Sequence, residues 1–157
     1  LARVLIVGFG NLLLRDEGVG IHAVRALQER GLPEGVEAID GGTSAIDILP
    51  FLEEVDLLII LDAVAGREAP GTLYRMGLAD IGYEQQRHVS LHDINVPTVL
   101  QLCEAMGKKP PETLIIGLQP AVIEEGLELS PEVAAALPRL VDFVLKQVET
   151  YLAERSA

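Results

Sequence analysis

Three side chains have the types and surroundings that hydrolytic chemistry needs: Glu17, Asp62 and His92. Two carboxylates supply hard oxygens and one imidazole a borderline nitrogen. With an open coordination position, that set suits Ni²⁺, Zn²⁺ or Fe²⁺ better than a closed structural site. Without metal, the same two carboxylates can share a proton or activate water as a dyad. Each residue also has a plainer reading. Glu17 opens a helix, where a carboxylate is favourable on dipole grounds alone. Asp62 follows five apolar strand residues, and aspartate there also serves turns. His92 stands between a loop and a helix, where a surface or locally bonded imidazole is common. Asp16, Asn11 and Asp40 are candidates to support the set from behind. His88 is a rival ligand ranked below His92, and His22, at i+5 from Glu17, does not share its helical face.

Other chemistries lack parts. Gly8-Phe9-Gly10 begins like a dinucleotide fingerprint, but Leu13 stands where the third glycine is required. Asp16 and Glu17 would then place negative charge where a pyrophosphate sits, although Asp40 could still meet a ribose. No lysine follows the glycines as in a P-loop, and neither a G-x-S-x-G elbow nor an H-E-x-x-H helix is present. Cys103 is the single cysteine, so an intramolecular disulfide and a cysteine-clustered metal site are excluded. With Leu102 and Met106 beside it, a small buried thiol on an apolar helix face is expected.

The elements that must position these residues follow from the apolar pattern. Short β-branched runs at Val4–Val7, Val36–Asp40, Leu57–Leu61 and Thr113–Gly117 read as parallel strands covered on both faces. Gly71–Arg75 reads as a weaker, antiparallel edge strand. Helices are expected over about residues 17–30, from Thr43 or Ser44 through Leu52, and from a cap at Asn95 to Met106. The last helix follows Ser130-Pro131, and Pro138 is expected to kink or divide it. Gly77–Leu91 has no sustained period and reads as a long loop. Strand–helix alternation of this kind gives a single α/β domain over residues 1–157, three-layered, with a twisted and mostly parallel sheet between helices. In such sheets ligands bind outside the carboxyl ends of the strands. The loop Gly8–Gly20, the turn Asp40–Thr43 and Asp62 all fall there.

Composition narrows the partners. The 157 residues carry 24 acidic and 12 basic side chains, a formal charge of -12, and 49% of them are hydrophobic. A surface this negative repels phosphate backbones and anionic lipid, so neither nucleic-acid binding nor membrane insertion is expected. The excess is uneven: residues 34–68 hold nine acids and one base, residues 1–33 three acids and four bases. With no leader pattern and no apolar run of spanning length, a cytoplasmic protein is expected.

Gly8-Phe9-Gly10-Asn11-Leu12-Leu13 runs into Asp16-Glu17-Gly18-Val19-Gly20, and Asp40-Gly41-Gly42-Thr43, Leu61-Asp62-Ala63 and Ser90-Leu91-His92 follow in order. Gly117-Leu118-Gln119-Pro120 and Gly126-Leu127-Glu128-Leu129-Ser130-Pro131 complete a series spanning essentially the whole chain. In this series the sequence resembles the maturation endopeptidases of nickel–iron hydrogenases. The resemblance implies a phosphorylase/hydrolase-like α/β fold. It also implies an aspartic-type or metal-assisted endopeptidase that removes the carboxyl-terminal extension of a hydrogenase large-subunit precursor after nickel insertion. It places the family's metal-binding residues on Glu17, Asp62 and His92, contacting nickel carried by the precursor, or another divalent ion in vitro. Glu17 stands where some members carry aspartate, which changes reach by one methylene. By the same resemblance Gly41, Gly42 and Thr43 shape the cleft near the scissile peptide. The mechanism stays open between nickel that polarises the peptide carbonyl or its attacking water and a metal that only docks and gates the substrate while Asp16 or Asp40 assists as a base. The precursor is the implied partner, with hydrogenase selectivity expected in Gly77–Leu91; a monomer is expected because the precursor must reach an open cleft. A related peptidase for another metalloenzyme precursor and a non-catalytic precursor-binding chaperone are the alternatives.

Overall fold

A computed structural model describes residues 2–78 and 96–156. Five strands form one sheet in the order β2-β1-β3-β5-β4. They are β1 Val4–Phe9, β2 Val36–Gly42, β3 Leu57–Ala63, β4 Leu73–Gly77 and β5 Glu112–Leu118. The β2–β1, β1–β3 and β3–β5 pairs are parallel, and β4 closes the edge antiparallel to β5. Helices α1 (Val19–Arg30), α2 (Val96–Ala105) and α3 (Pro131–Ser156) and a 3-10 helix, Ala45–Leu52, cover the sheet.

Side-chain alternation explains the three layers. Val4 and Ile6 of β1 and Leu57, Ile59 and Leu61 of β3 pack with Val24, Leu27, Leu140 and Val144 of α1 and α3. The intervening Leu5, Val7, Leu58 and Ile60 pack on the other face with Ile48, Leu52, Val96 and Val99. Both faces are therefore buried, and a period-two strand needs to be apolar throughout, as β1 and β3 are.

The helices depart from expectation in three places. Glu17 belongs to a 3-10 turn, Arg15–Gly18, and α1 proper starts at Val19. Pro138 does not divide α3, which is continuous to Ser156. Ala134 and Pro138 both lie on the exposed face, where water can serve the carbonyl that the proline leaves unbonded. Cys103 is buried as expected, but Leu102 and Met106 are exposed, and the buried face of α2 is Val96, Val99, Leu100 and Cys103. The Ser130 cap holds: its hydroxyl accepts the Val133 N–H (3.4 Å). Asn95 and most of Gly77–Leu91 lie outside the described residues. No described helix is long and apolar enough to cross a membrane.

Candidate active site

Close backbone packing brings Glu17 to Asp62. At Gly8 and Gly20 the start of α1 lies directly on the ends of β1 and β3. A Cβ on Gly20 would collide with the carbonyl oxygens of Leu61 and Phe9, and one on Gly8 with the carbonyl of Gly20. Only hydrogen at these two positions lets the turn carrying Glu17 settle over the carboxyl end of β3. The preceding loop is stitched locally: Asn11 Oδ1 accepts the Leu13 N–H (2.9 Å), and the Asn11 N–H donates to the Glu17 carbonyl (3.3 Å).

Asp62 is the penultimate residue of β3, opposite Gly117 of β5. It is 1% exposed, as is Glu17. Asp62 Oδ1 accepts the N–H of Ala63 (2.8 Å), while Oδ2 is buried with no hydrogen-bond partner among the described residues. Burial pushes its pKa well above the ordinary carboxylate value; the Ala63 N–H opposes this and the charge of Glu17 adds to it. Asp62 thus carries a buried carboxyl oxygen without a donor among the described residues, within electrostatic reach of the buried Glu17. The donor chemistry fits a divalent transition metal, for which carboxylate oxygens from two elements supply charge and lone pairs.

Asp16, one residue before Glu17, is equally buried and in the opposite condition. Its Oδ2 accepts the N–H groups of Ala121 (2.8 Å) and Val122 (2.9 Å), and its Oδ1 that of Ser130 (2.7 Å). Burial raises its pKa, but bonds from Ser130, Val122 and Ala121 outweigh it and hold the carboxyl below its ordinary value. With three backbone donors engaged, Asp16 is a structural clasp, and the expectation that it serves as a base is corrected. Sequence reasoning missed this role because its partners lie 105 to 114 positions away. Asp40 is exposed, and its Oδ1 closes the Asp40–Gly42 turn by accepting the Gly42 N–H (2.8 Å).

His92 and His88 lie outside the described residues, and among the described ones no three His, Cys, Asp or Glu side chains form a metal cluster. His22 is half-buried, and its Nε2 is buried with no partner among the described residues. Burial first, then Arg25, lowers its pKa and favours the neutral imidazole.

The opposite end of the sheet offers an open cleft of about 650 Å³. Several of its charges are paired, with Lys108 on Glu53 (3.4 Å), and Arg155 on Glu112 (3.7 Å) and over the Tyr151 ring. None of the expected chemistry lies there. The strand ends holding Glu17 and Asp62 remain the candidate site.

Comparison with known proteins places this architecture. A family model described as "HycI: Hydrogenase maturation protease" matches residues 21–147. The hydrogenase expression/formation protein HupD of Rhodobacter capsulatus is 38% identical over 148 residues, covering 92% of this chain and 69% of its own. The solved structure of the hydrogenase maturating endopeptidase HYBD from E. coli superposes with a TM-score of 0.81 at 32% identity, covering 95% of this chain and 93% of that one. The nickel–iron hydrogenase maturation protease HybD from Thermococcus kodakarensis gives 0.79 at 28% identity, covering 92% and 98%. Sheet order, flanking helices and near full-length sequence similarity converge: the chain belongs to the hydrogenase maturation protease family, whose members are peptide-bond hydrolases.

Proposed function

We propose that this protease removes the carboxyl-terminal extension of a nickel–iron hydrogenase large-subunit precursor once nickel has been inserted. Glu17, Asp62 and His92 take the nickel of the arriving substrate. The observation that carries this reading is the buried Glu17–Asp62 pair, in which Asp62 Oδ2 lacks any donor among the described residues. Two carboxylates with so little solvent repel each other, and Asp62 retains its proton more readily than an exposed aspartate. A divalent cation arriving on the precursor offsets both penalties. It adds positive charge between the carboxylates and gives the orphaned oxygen a partner, so the proton leaves Asp62 as the substrate docks.

His92 supplies the third donor in this reading, four positions before α2 opens at Val96. An imidazole completes a mixed oxygen and nitrogen set that nickel accepts. The precursor without metal lacks the group that the pair is built to receive. Cleavage therefore waits for cofactor assembly. Once the substrate is anchored, the metal it carries polarises the scissile carbonyl or the attacking water, which makes the enzyme metal-assisted with its aspartate as a ligand. Asp16 takes no proton in this scheme, because its three donors hold it ionised and occupied.

The test is processing of nickel-loaded precursor by the purified protein, read by intact mass, alongside Glu17→Gln, Asp62→Asn and His92→Ala. Each variant is expected to lose cleavage while remaining folded, as a cooperative thermal transition shows. Full cleavage by all three overturns the site assignment. A wild-type protein that binds the precursor without cutting it supports the chaperone alternative instead.

A further inference from the structure

The loop before Glu17 and the segment before α3 form one bonded platform. The Leu13 carbonyl accepts the Gly126 N–H (2.9 Å), the Gly126 carbonyl accepts the Arg15 N–H (3.0 Å), and the Val122 carbonyl accepts the Asp16 N–H (3.1 Å). Leu14 and Gly126 make an isolated parallel bridge. Beneath them the Asp16 carboxylate fastens Ala121, Val122 and Ser130, and Arg15 Nε donates to the Glu128 carbonyl (3.0 Å). On this platform three large aliphatic side chains face solvent: Leu13 at 64%, Ile123 at 39% and Leu127 at 67% exposed. Each lies within one residue of a cross-loop hydrogen bond.

A single exposed leucine is ordinary. Three on one rigid platform, beginning four residues before Glu17, constitute a surface. Its charge is equally one-sided. Residues 119–131 contain Glu124, Glu125 and Glu128 and no lysine or arginine. Arg15 pairs with Glu124 (3.2 Å), so Glu125 and Glu128 leave the platform net negative.

We propose that the platform of Leu13, Ile123 and Leu127 is the docking surface for a segment of the precursor protein that combines apolar side chains with lysine or arginine. The inference rests on the precursor being the substrate. Two features of the structure select this occupant. The platform is covalently and hydrogen-bond continuous with the Glu17 turn, so a chain seated on it is led toward the carboxylate pair. Its acidic rim complements a basic segment and repels an acidic one. Because the backbone bonds already fix the two loops, docking orders little new chain, and the apolar contact is realised as affinity. The Asp16 clasp thereby joins the surface that holds the partner to the turn that meets its metal.

Steady-state processing of nickel-loaded precursor by the full chain tests the surface. The Leu13→Ser and Leu127→Ser pair is expected to raise KM about tenfold or more and leave kcat within about twofold, with an unchanged thermal transition. Leu102→Ser with Met106→Ser, also exposed, in and just after α2, is expected to change neither. Added salt is expected to raise the wild-type KM, and less so in Glu125→Gln with Glu128→Gln. An unchanged KM in the leucine pair overturns the docking surface while cleavage by the wild type still upholds the substrate reading. Wild-type protein that neither binds nor cleaves the precursor overturns both. A concentration-dependent dimer that Leu127→Ser dissolves assigns the platform to a second copy of this chain and likewise overturns the proposal.

Discussion

Asp16 and Asp62 are both carboxylates withdrawn from water, at 0% and 1% exposure, and the fold treats them in opposite ways. Asp16 receives three backbone N–H donors from a segment more than a hundred residues away and is held ionised. Among the described residues Asp62 receives one, from its own neighbour; it also feels the charge of Glu17 and is pushed toward its protonated form. A buried charge is tolerable when the protein itself supplies its partners, and one left without them marks a place for a partner from outside. The clasp stabilises the fold. In the proposed function, the strand-end pair is stability forgone for the site.

Breaking the Glu17–Asp62 pair should give the largest effect. Glu17→Gln and Asp62→Asn are each expected to lower processing by at least about 100-fold, measured as product mass per unit time, because under the proposed function each removes a ligand charge without changing shape. Breaking the clasp should act on stability. Asp16→Ala strands up to three donors and is expected to cost about 2–4 kcal/mol in denaturant unfolding, with activity falling as the Arg15–Gly18 turn loosens. Gly20→Ala drives a methyl into two backbone carbonyls and should cost about 1–3 kcal/mol by the same measurement.

The smallest effects separate the two aspartates by sign. For Asp16, with its folded pKa lowered, the stabilisation is fully present above the unfolded carboxylate value of about 3.9 and is lost as pH falls through the folded value. For Asp62, with its folded pKa raised, the folded state binds the proton more tightly, so stability falls as pH rises from about 4 toward the folded value. Asp62→Asn is therefore expected to raise Tm at neutral pH and flatten that decline, in a variant that no longer cleaves. A lower Tm for Asp62→Asn would mean that the site is not under electrostatic strain.

Much of this was legible in the sequence because local chemistry dictated it. The all-apolar runs of β1, β3 and β5 required a sheet covered on both faces, and Asp62 at the end of one such run fell where sheets of this class bind ligands. The antiparallel edge strand was legible too, two residues early. What escaped depended on long-range packing. Nothing near Asp16 distinguishes it from Glu17; only the approach of Ala121, Val122 and Ser130 makes one a clasp and leaves the other for the site. Pro138 reads as a helix breaker until its exposed position shows that water can replace the lost bond. Leu102 and Met106 were assigned to the wrong face of α2 because a helix with apolar residues around much of its girth does not announce which stripe the sheet will cover. His92 remains the member of the set that rests on sequence alone.

Completion of the Glu17–Asp62 pair by metal arriving on the substrate is the core of the proposed function. Its most direct test is processing of nickel-loaded and nickel-free precursor by the same enzyme preparation, compared by intact mass. The account predicts cleavage of the loaded form and an uncut nickel-free form. Equal cleavage of both would contradict it.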